Sequence, residues 1–381
     1  MLLFVAVACV VAATARAVAD GRPTAVLAAR PTGVEPGVGW RADFALRRHG
    51  GPLAHAAPSF WIRSASGAPA FRTREYAVGR YRASVVFPTA GRYRYGVSVS
   101  NATLDLGVVN VQPGVRRPLG LAVGPDGALY VADSARTTVV RVDPRTRART
   151  IAARALAQPL YLAFDPGGRL VVADSRNRIY RVERDGSRTL VAGTGARGHT
   201  GDGGPATAAA LGGSGGIAFD RDGNLVLAEY DGWVRVVRRD GTVGTLAGTG
   251  AEGYSGDGGP AARATLRHPH DVAVLSDGSI LVADSHNGAL RRIGADGVIR
   301  SVVSGLTAPV AVAAGPAGSS FVAASGIYRI AADGARTPVA TASAPIGVAA
   351  DGAGNVYFSE LEARRVRRVD AATRKVTTLV P

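Results

Sequence analysis

A chain of 381 residues, 46% hydrophobic and carrying a formal net charge of +16, is long enough for two folding units or one large repeat array. Its 50 glycines and 21 prolines mark a turn-rich globular chain and exclude a disordered one. The charge by itself suggests a nucleic-acid or acidic-surface partner, but 44 of the 45 basic residues are arginine and only Lys375 is lysine, a skew better explained by codon composition than by phosphate binding.

The chain opens on an apolar run, Leu2 to Ala13, that is too short to span a bilayer and is followed by the small-residue sites Ala13-Thr14-Ala15 and Ala17-Val18-Ala19. Residues 1–19 therefore read as a secretory signal peptide, which predicts a secreted or extracytoplasmic protein with no transmembrane span in its mature form. No Lys or Arg follows Met1, and Ala6-Val7-Ala8-Cys9 has the outline of a lipobox, so an N-terminal membrane or lipid anchor is the alternative. Cys9 is the single cysteine; its removal excludes disulfides, thiol catalysis and Cys-ligated zinc together.

Residues 20–112 show short alternating strands at Trp40–Leu46, Ser59–Ile62, Tyr81–Phe87 and Arg92–Val99, the last two flanking the turn Pro88-Thr89-Ala90-Gly91. This pattern predicts a small β-sandwich similar to an immunoglobulin domain without its disulfide. Arg92 and Arg94 alternate with Tyr93 and Tyr95, which places a basic face opposite an aromatic one. The unit is the basic part of the chain, with 14 arginines against five acids over residues 20–117, and attraction to an anionic envelope is one reading of that face. Gln112-Pro113-Gly114 is the expected linker.

From residue 113 to 381 the chain repeats itself. Six copies begin at Pro118, Pro159, Ser214, Pro269, Pro309 and Pro345, and each has a turn glycine nine residues on: Gly127, Gly168, Gly223, Gly278, Gly318 and Gly354. Six residues beyond stand Asp133, Asp174, Glu229, Asp284, Ala324 and Glu360. Each frame reads as a hairpin, and a second hairpin follows, closed by pairs such as Asp185-Gly186 and Asp240-Gly241. Four strands per copy predict an all-β fold, a six-bladed β-propeller preceded by the small β-sandwich. Val376–Val380 is expected as the outermost strand, with the first and last blades closing edge to edge. Copies two and three carry related insertions, Gly201-Asp202-Gly203-Gly204-Pro205-Ala206 and Gly256-Asp257-Gly258-Gly259-Pro260-Ala261. No lysine or helical pattern follows either, so they read as long turns in which Asp202 and Asp257 bond their own backbones.

Residues 118–381 resemble an NHL-repeat six-bladed β-propeller. The strings Pro269-His270-Asp271-Val272-Ala273, Val282-Ala283-Asp284-Ser285-His286-Asn287 and Gly-Asp-Gly-Gly-Pro-Ala look like those of bacterial secreted members. Copy five departs from the pattern at Ala311 and Ala324, which predicts an eroded blade. Arg141, Arg181, Arg235, Arg292, Arg329 and Arg368 read as a sixfold architectural ring, and the recurring acids as their partners or as acceptors for loop amides.

A propeller binds ligands at its channel mouth, where the copies differ. Copy four stands out, with His268, His270 and His286 accounting for half of the six histidines. Ligand contacts are expected from Tyr161, Asp174, Glu229, Tyr230, His268, His270, Asp284 and Ser285, and His270, Asp271 and His286 are the candidates for catalysis. The resemblance to peptidyl-hydroxyglycine amidating lyases implies three inner-strand histidines around zinc, of which only His270 is present. The resemblance to gluconolactonases implies a carboxylate and amide metal site, to which Asp174 and Glu229 could contribute, with Asn177 or Asn287. A Ser285, His270 and Asp284 triad is not expected, because Ser285 and Asp284 are adjacent on an extended segment. The expectation is a secreted, monomeric, non-catalytic binding or scaffold protein for an extracellular protein or envelope polymer, with no cofactor. The alternative is a divalent-metal hydrolase or lyase acting near His270. Nucleic acid is not an expected partner.

Overall fold

Each of the six turn glycines adopts a positive φ, 71° at Gly127 and 85° at Gly278 for example, a conformation that costs glycine nothing and lets the flanking strands pair as tight hairpins. In the computed structural model these hairpins grow into six consecutive four-stranded antiparallel sheets, blades 1 to 6. The blades span Pro118–Ala153, Pro159–Ala192, Ser214–Ala247, Pro269–Val303, Ala311–Ala340 and Pro345–Val380. The structure describes residues 13–14, 23–31, 34, 39–49, 51–64, 69–87, 91–100, 102–111 and 114–380. The expected signal segment apart from Ala13–Thr14, Cys9, the expected turn at Pro88–Ala90 and the expected linker at Gln112-Pro113 lie outside the described residues.

The chain divides into two compact units, Met1–Gly114 and Val115–Pro381. In the second, the innermost strands pack side by side around an axis, and apolar clusters fill the spaces between neighbouring blades. Blade 6 contains all four of its own strands, with Val376–Val380 outermost, and no strand is exchanged with blade 1. The seam is closed by packing: Leu121, Val131 and Val140 meet Ala349, Tyr357 and Leu379, and Ser359 Oγ donates to the Leu119 carbonyl at 2.7 Å. Blade 5 is complete but shortened. It keeps four strands, three of them only four residues long, and the backbone N–H of Ala324 bonds Gly326 where the other blades place a carboxylate.

The recurring acids are buried at the ends of the second strands, where they accept hydrogen bonds from the segment entering the blade or, for Asp174, from the turn that follows it. Asp133 accepts from the amides of Arg116 and Arg117, Asp174 from those of Arg176 and Arg178, Asp284 from that of Arg267 and Glu360 from that of Ser343. The arginine ring is fivefold, which corrects the sixfold reading. Arg141, Arg181, Arg292, Arg329 and Arg368 share one register, opposite Tyr130, Val171, Leu281, Phe321 and Tyr357. Arg235 pairs one step further along, opposite Leu227, and its true counterpart is Arg291 opposite Val282.

That displacement has a cause in the insertions. Each insertion runs along the outer strand of the following blade and covers its edge: Gly203 and Gly204 exchange backbone bonds with Val243, as Gly258 and Gly259 do with Ile299. Beneath the first, Arg235 donates to the Thr200 and Ala210 carbonyls and pairs with Asp202; beneath the second, Arg291 donates to the Ser255 carbonyl and to Asp257 at 2.7 Å. Asp202 and Asp257 therefore reach across to a buried guanidinium and do not bond their own backbones as expected.

The N-terminal unit is a single nine-stranded antiparallel sheet whose ends approach each other at Thr24–Leu27 and Ala102–Val111, so that it nearly closes on itself. Phe44, Phe60, Tyr81, Phe87, Tyr93 and Tyr95 fill its interior, whereas Arg92 and Arg94 face out. Two layers separated as in a sandwich are only partly developed. The strands Arg80–Val86 and Gly91–Val99 flank the expected turn but do not pair: the first lies between Gly39–Arg48 and Ala70–Ala77, the second between Ser59–Arg63 and Ala102–Val111.

Candidate functional site

A ring of residues on the innermost strands defines the axis. It reads Gly120, Tyr161, Gly216, Asp271, Ala311 and Gly347, small wherever neighbouring strands approach closely; a Cβ on Gly120 would lie 2.4 Å from the Leu160 carbonyl oxygen. Asp271 occupies the space left by Gly216, where a Cβ would sit 1.5 Å from its Oδ1. With Tyr161 and Asp271 filling it, the bore narrows to a cavity of about 60 Å³.

The mouth above this constriction carries a hydrogen-bonded chain from three blades. Tyr161 Oη of blade 2 lies 2.9 Å from Tyr230 Oη of blade 3 and 2.8 Å from His270 Nδ1 of blade 4. Burial pushes the His270 imidazole down to about 4, against a backbone hydrogen bond to Val310. A backbone bond that favours the charged ring is one the ring donates, so the arrangement satisfying every group has Nδ1 accepting from Tyr161 and Tyr161 accepting from Tyr230.

Beside this chain the rings stack. His268 lies 4.6 Å from Tyr230 at 8° and 4.4 Å from His286 at 13°, and Tyr230 is 5.1 Å from His270. His268 precedes Pro269 and is held at φ 53°, as Gln158, Ala308 and Ala344 are before their own prolines, and this left-handed corner turns the side chain toward the mouth. Its Nδ1 is buried and has no hydrogen-bond partner among the described residues. Burial and the neighbouring His286 lower the His268 pKa. His286, on the short turn after Asp284, is exposed.

The structure thus brings Tyr161, Tyr230, His268, His270 and His286 together. Asp271 lies beneath them, its Oδ1 accepting from the Val272 amide at 2.9 Å and its Oδ2 from that of Val312 at 2.8 Å, and burial pushes its carboxyl up to about 7. It braces the inner strands of blades 4 and 5 and lines the narrow bore. Asp174 and Asp284 are held in separate blades by the bonds described above, Glu229 is buried in a third blade, and Ser285 is buried at the start of its turn. Glu229 belongs to a cluster that the sequence reading missed: His199 of the first insertion stacks on Trp233 at 3.8 Å and approaches Glu229 at 3.2 Å and Thr245 at 3.1 Å, and Glu229 lies 3.5 Å from Arg235. Burial pushes the Glu229 carboxyl up to about 7, with Arg235 opposing. Among the described residues no group of three or more His, Cys, Asp or Glu side chains is placed to hold a metal ion. His270 in particular meets tyrosines, and the carboxylates and amides suggested for a gluconolactonase-like site lie apart.

A model of the teneurin NHL domain matches residues 112–255, and one of the NHL repeat matches residues 266–293. The propeller contains NHL repeats. No curated protein matches the chain in sequence. In structure this NHL propeller is similar to a streptogramin B lyase, at 16% identity and a TM-score of 0.51 over 71% of this chain and 84% of that one. It is also similar to a gluconolactonase from Xanthomonas campestris, at 16% identity and a TM-score of 0.53 over 65% of this chain and 84% of the other. At these identities the likeness is one of fold. No helix among the described residues is long and apolar enough to cross a membrane.

Proposed function

We propose that this protein is a binding protein acting outside the cytoplasm, which holds an extracellular protein or envelope polymer at the channel mouth of its NHL propeller while the N-terminal unit presents or positions it. The observation that carries this reading is the Tyr230, His268 and His286 stack with the unpartnered His268 Nδ1 beside it. Stacked rings at a mouth closed below offer flat faces to a planar group or a sugar. Isothermal titration with solubilised envelope fragments tests it. Binding should weaken about tenfold or more in Tyr230→Ala and His286→Ala; no binding, or binding indifferent to both changes, sinks the reading. Intact Met1 at the N-terminus of the exported chain would refute signal cleavage.

A second reading, a hydrolase or lyase, is favoured by the 2.8 Å contact between Tyr161 and an imidazole kept neutral, a pair able to move a proton. A stoichiometric tight metal lost on His270→Ala would move the assignment to the divalent-metal form of this reading.

A further inference from the structure

A second cleft lies on the opposite face of the propeller, where the turns between first and second strands and between third and fourth strands gather. It runs between blades 2 and 3 and has a volume of about 690 Å³, within the range of small-molecule sites. Its floor is apolar, formed by Val171, Val191, Phe219, Leu225 and Val237, and the Gly203-Gly204-Pro205 stretch of the first insertion supplies part of its wall. Five arginines line it: Arg169, Arg181, Arg221, Arg238 and Arg239. Two are matched, Arg169 by Asp165 at 2.8 Å and Arg181 by Glu183 at 2.7 Å. Arg221, Arg238 and Arg239 are exposed and none forms a direct ion pair among the described residues, although the Arg238 charge is near enough to help lower the Asp240 pKa.

The molecule contains its own comparison. Blades 3 and 4, with the second insertion, are built in the same way, and the ladder pairs Leu225 with Val237 and Ile280 with Ile293 set the correspondence. Position by position, Arg169 becomes Asn224, Arg181 becomes Val236, Arg221 becomes Ser276, Arg238 becomes Gly294 and Arg239 becomes Ala295. The acids of the cleft, Asp165, Asp222 and Asp240, remain as Asp220, Asp277 and Asp296. Asp165 and Asp240 are turn architecture in both places: Asp165 and Asp220 each accept from an amide four residues on at 2.8 Å, and Asp240 and Asp296 from amides two residues on at 2.9 and 3.0 Å, while Asp222 stands exposed at the rim. The arginines are not required by that architecture and are missing from the corresponding place between blades 3 and 4.

We propose that the cleft between blades 2 and 3 binds a small polyanion, a compact molecule with an apolar flank and two or more phosphate, sulfate or carboxylate groups. The flank rests on Phe219 and the valines, and the three unpaired guanidinium groups at the rim take the anionic groups in bidentate pairs. The site is independent of the channel mouth. A single-stranded nucleic acid fits poorly, because the lining holds one aromatic residue, Phe219, half-buried in the floor, where stacking of successive bases needs exposed rings.

The test is calorimetric titration of the full chain with glucose 1,6-bisphosphate and, separately, digalacturonate, at about 0.15 M and about 0.5 M salt. Saturable one-to-one binding of at least one probe is expected, weakening with salt and falling about tenfold or more in R221Q/R238Q/R239Q while changing less than about twofold in R263Q/R374Q. Binding of the bisphosphate alone assigns phosphate chemistry, and binding of the uronate alone assigns carboxylates. The three single variants carry the test if the triple variant has a lowered melting temperature. Absence of saturation with both probes, an equal loss in R263Q/R374Q, or tighter binding of a single-stranded decanucleotide overturns the proposal.

Discussion

Arg235→Met tests whether the buried guanidinium fastens the first insertion to blade 3. Methionine keeps most of the apolar stem but removes the donor to the Thr200 carbonyl at 3.0 Å, the donor to the Ala210 carbonyl at 3.3 Å and the charge beside Asp202 and Glu229. Ala210 and Asp202 retain other partners, in the Thr200 amide and in Thr245. Thr200 and Glu229 are left worst placed, and a buried group without its partner costs about 1–3 kcal/mol. Together these give about 3 kcal/mol at neutral pH, felt as local opening of residues 193–213. Hydrogen exchange of the Thr194 and Gly203 amides, which bond Ala209 and Val243, should quicken roughly a hundredfold after correction for intrinsic rates. The deficit also depends on pH. At pH 6 Glu229, with its carboxyl held up at about 7, is largely protonated with or without the arginine; at pH 8 only the wild type has a cation to offset the buried charge. The variant should therefore lose up to about 1.4 kcal/mol more for each pH unit above 7. Exchange accelerated less than about fivefold, or a deficit independent of pH, would refute the reasoning.

The His270 ring signals should titrate near 4 by NMR, because burial disfavours the imidazolium; its contribution to stability is whole above the unfolded value and is lost as pH falls from about 6.5 to about 4. A midpoint at the ordinary value would show that the ring is solvated. Tyr161→Phe removes the hydroxyl shared by Tyr230 and His270, and urea denaturation should register about 1–3 kcal/mol, whereas unchanged stability would mean that the two remaining groups find water instead. Gly216→Ala should lower the melting temperature steeply through the clash with Asp271 Oδ1, and adding Asp271→Ala should recover part of the loss; failure of that rescue would place the constraint in the backbone.

The repeat was legible because its marks are conformational. A glycine nine residues after each start is needed wherever a tight hairpin requires positive φ, and the spacing survives any change of side chain. The arginine register was not legible in the same way. In Val234-Arg235-Val236 and Leu290-Arg291-Arg292-Ile293, which arginine faces inward depends on the pairing with the second strand, and a one-residue step exchanges the two faces. The histidine cluster was visible as a local enrichment, yet Tyr161 and Tyr230, 69 positions apart, meet only because the blades form a ring. The role of Glu229 depended on His199, whose position follows from the path of an insertion with no strand pattern of its own. In the N-terminal unit the alternation of Tyr93 and Tyr95 with arginines marked the faces, but strand order across the sheet depends on long-range pairing that local pattern does not encode.

The seam between blades 6 and 1 holds through side-chain packing and the hydroxyl bond of Ser359, with no strand shared across it. Both ends of the repeat array, Val115 and Val380, sit in the core of that seam. A pull applied between them would therefore bear on an apolar contact that parts by sliding, while every backbone ladder stayed whole. In mechanical terms the ring is a clasp, and tension would open it at one defined place into a string of six folded blades before any blade unravelled.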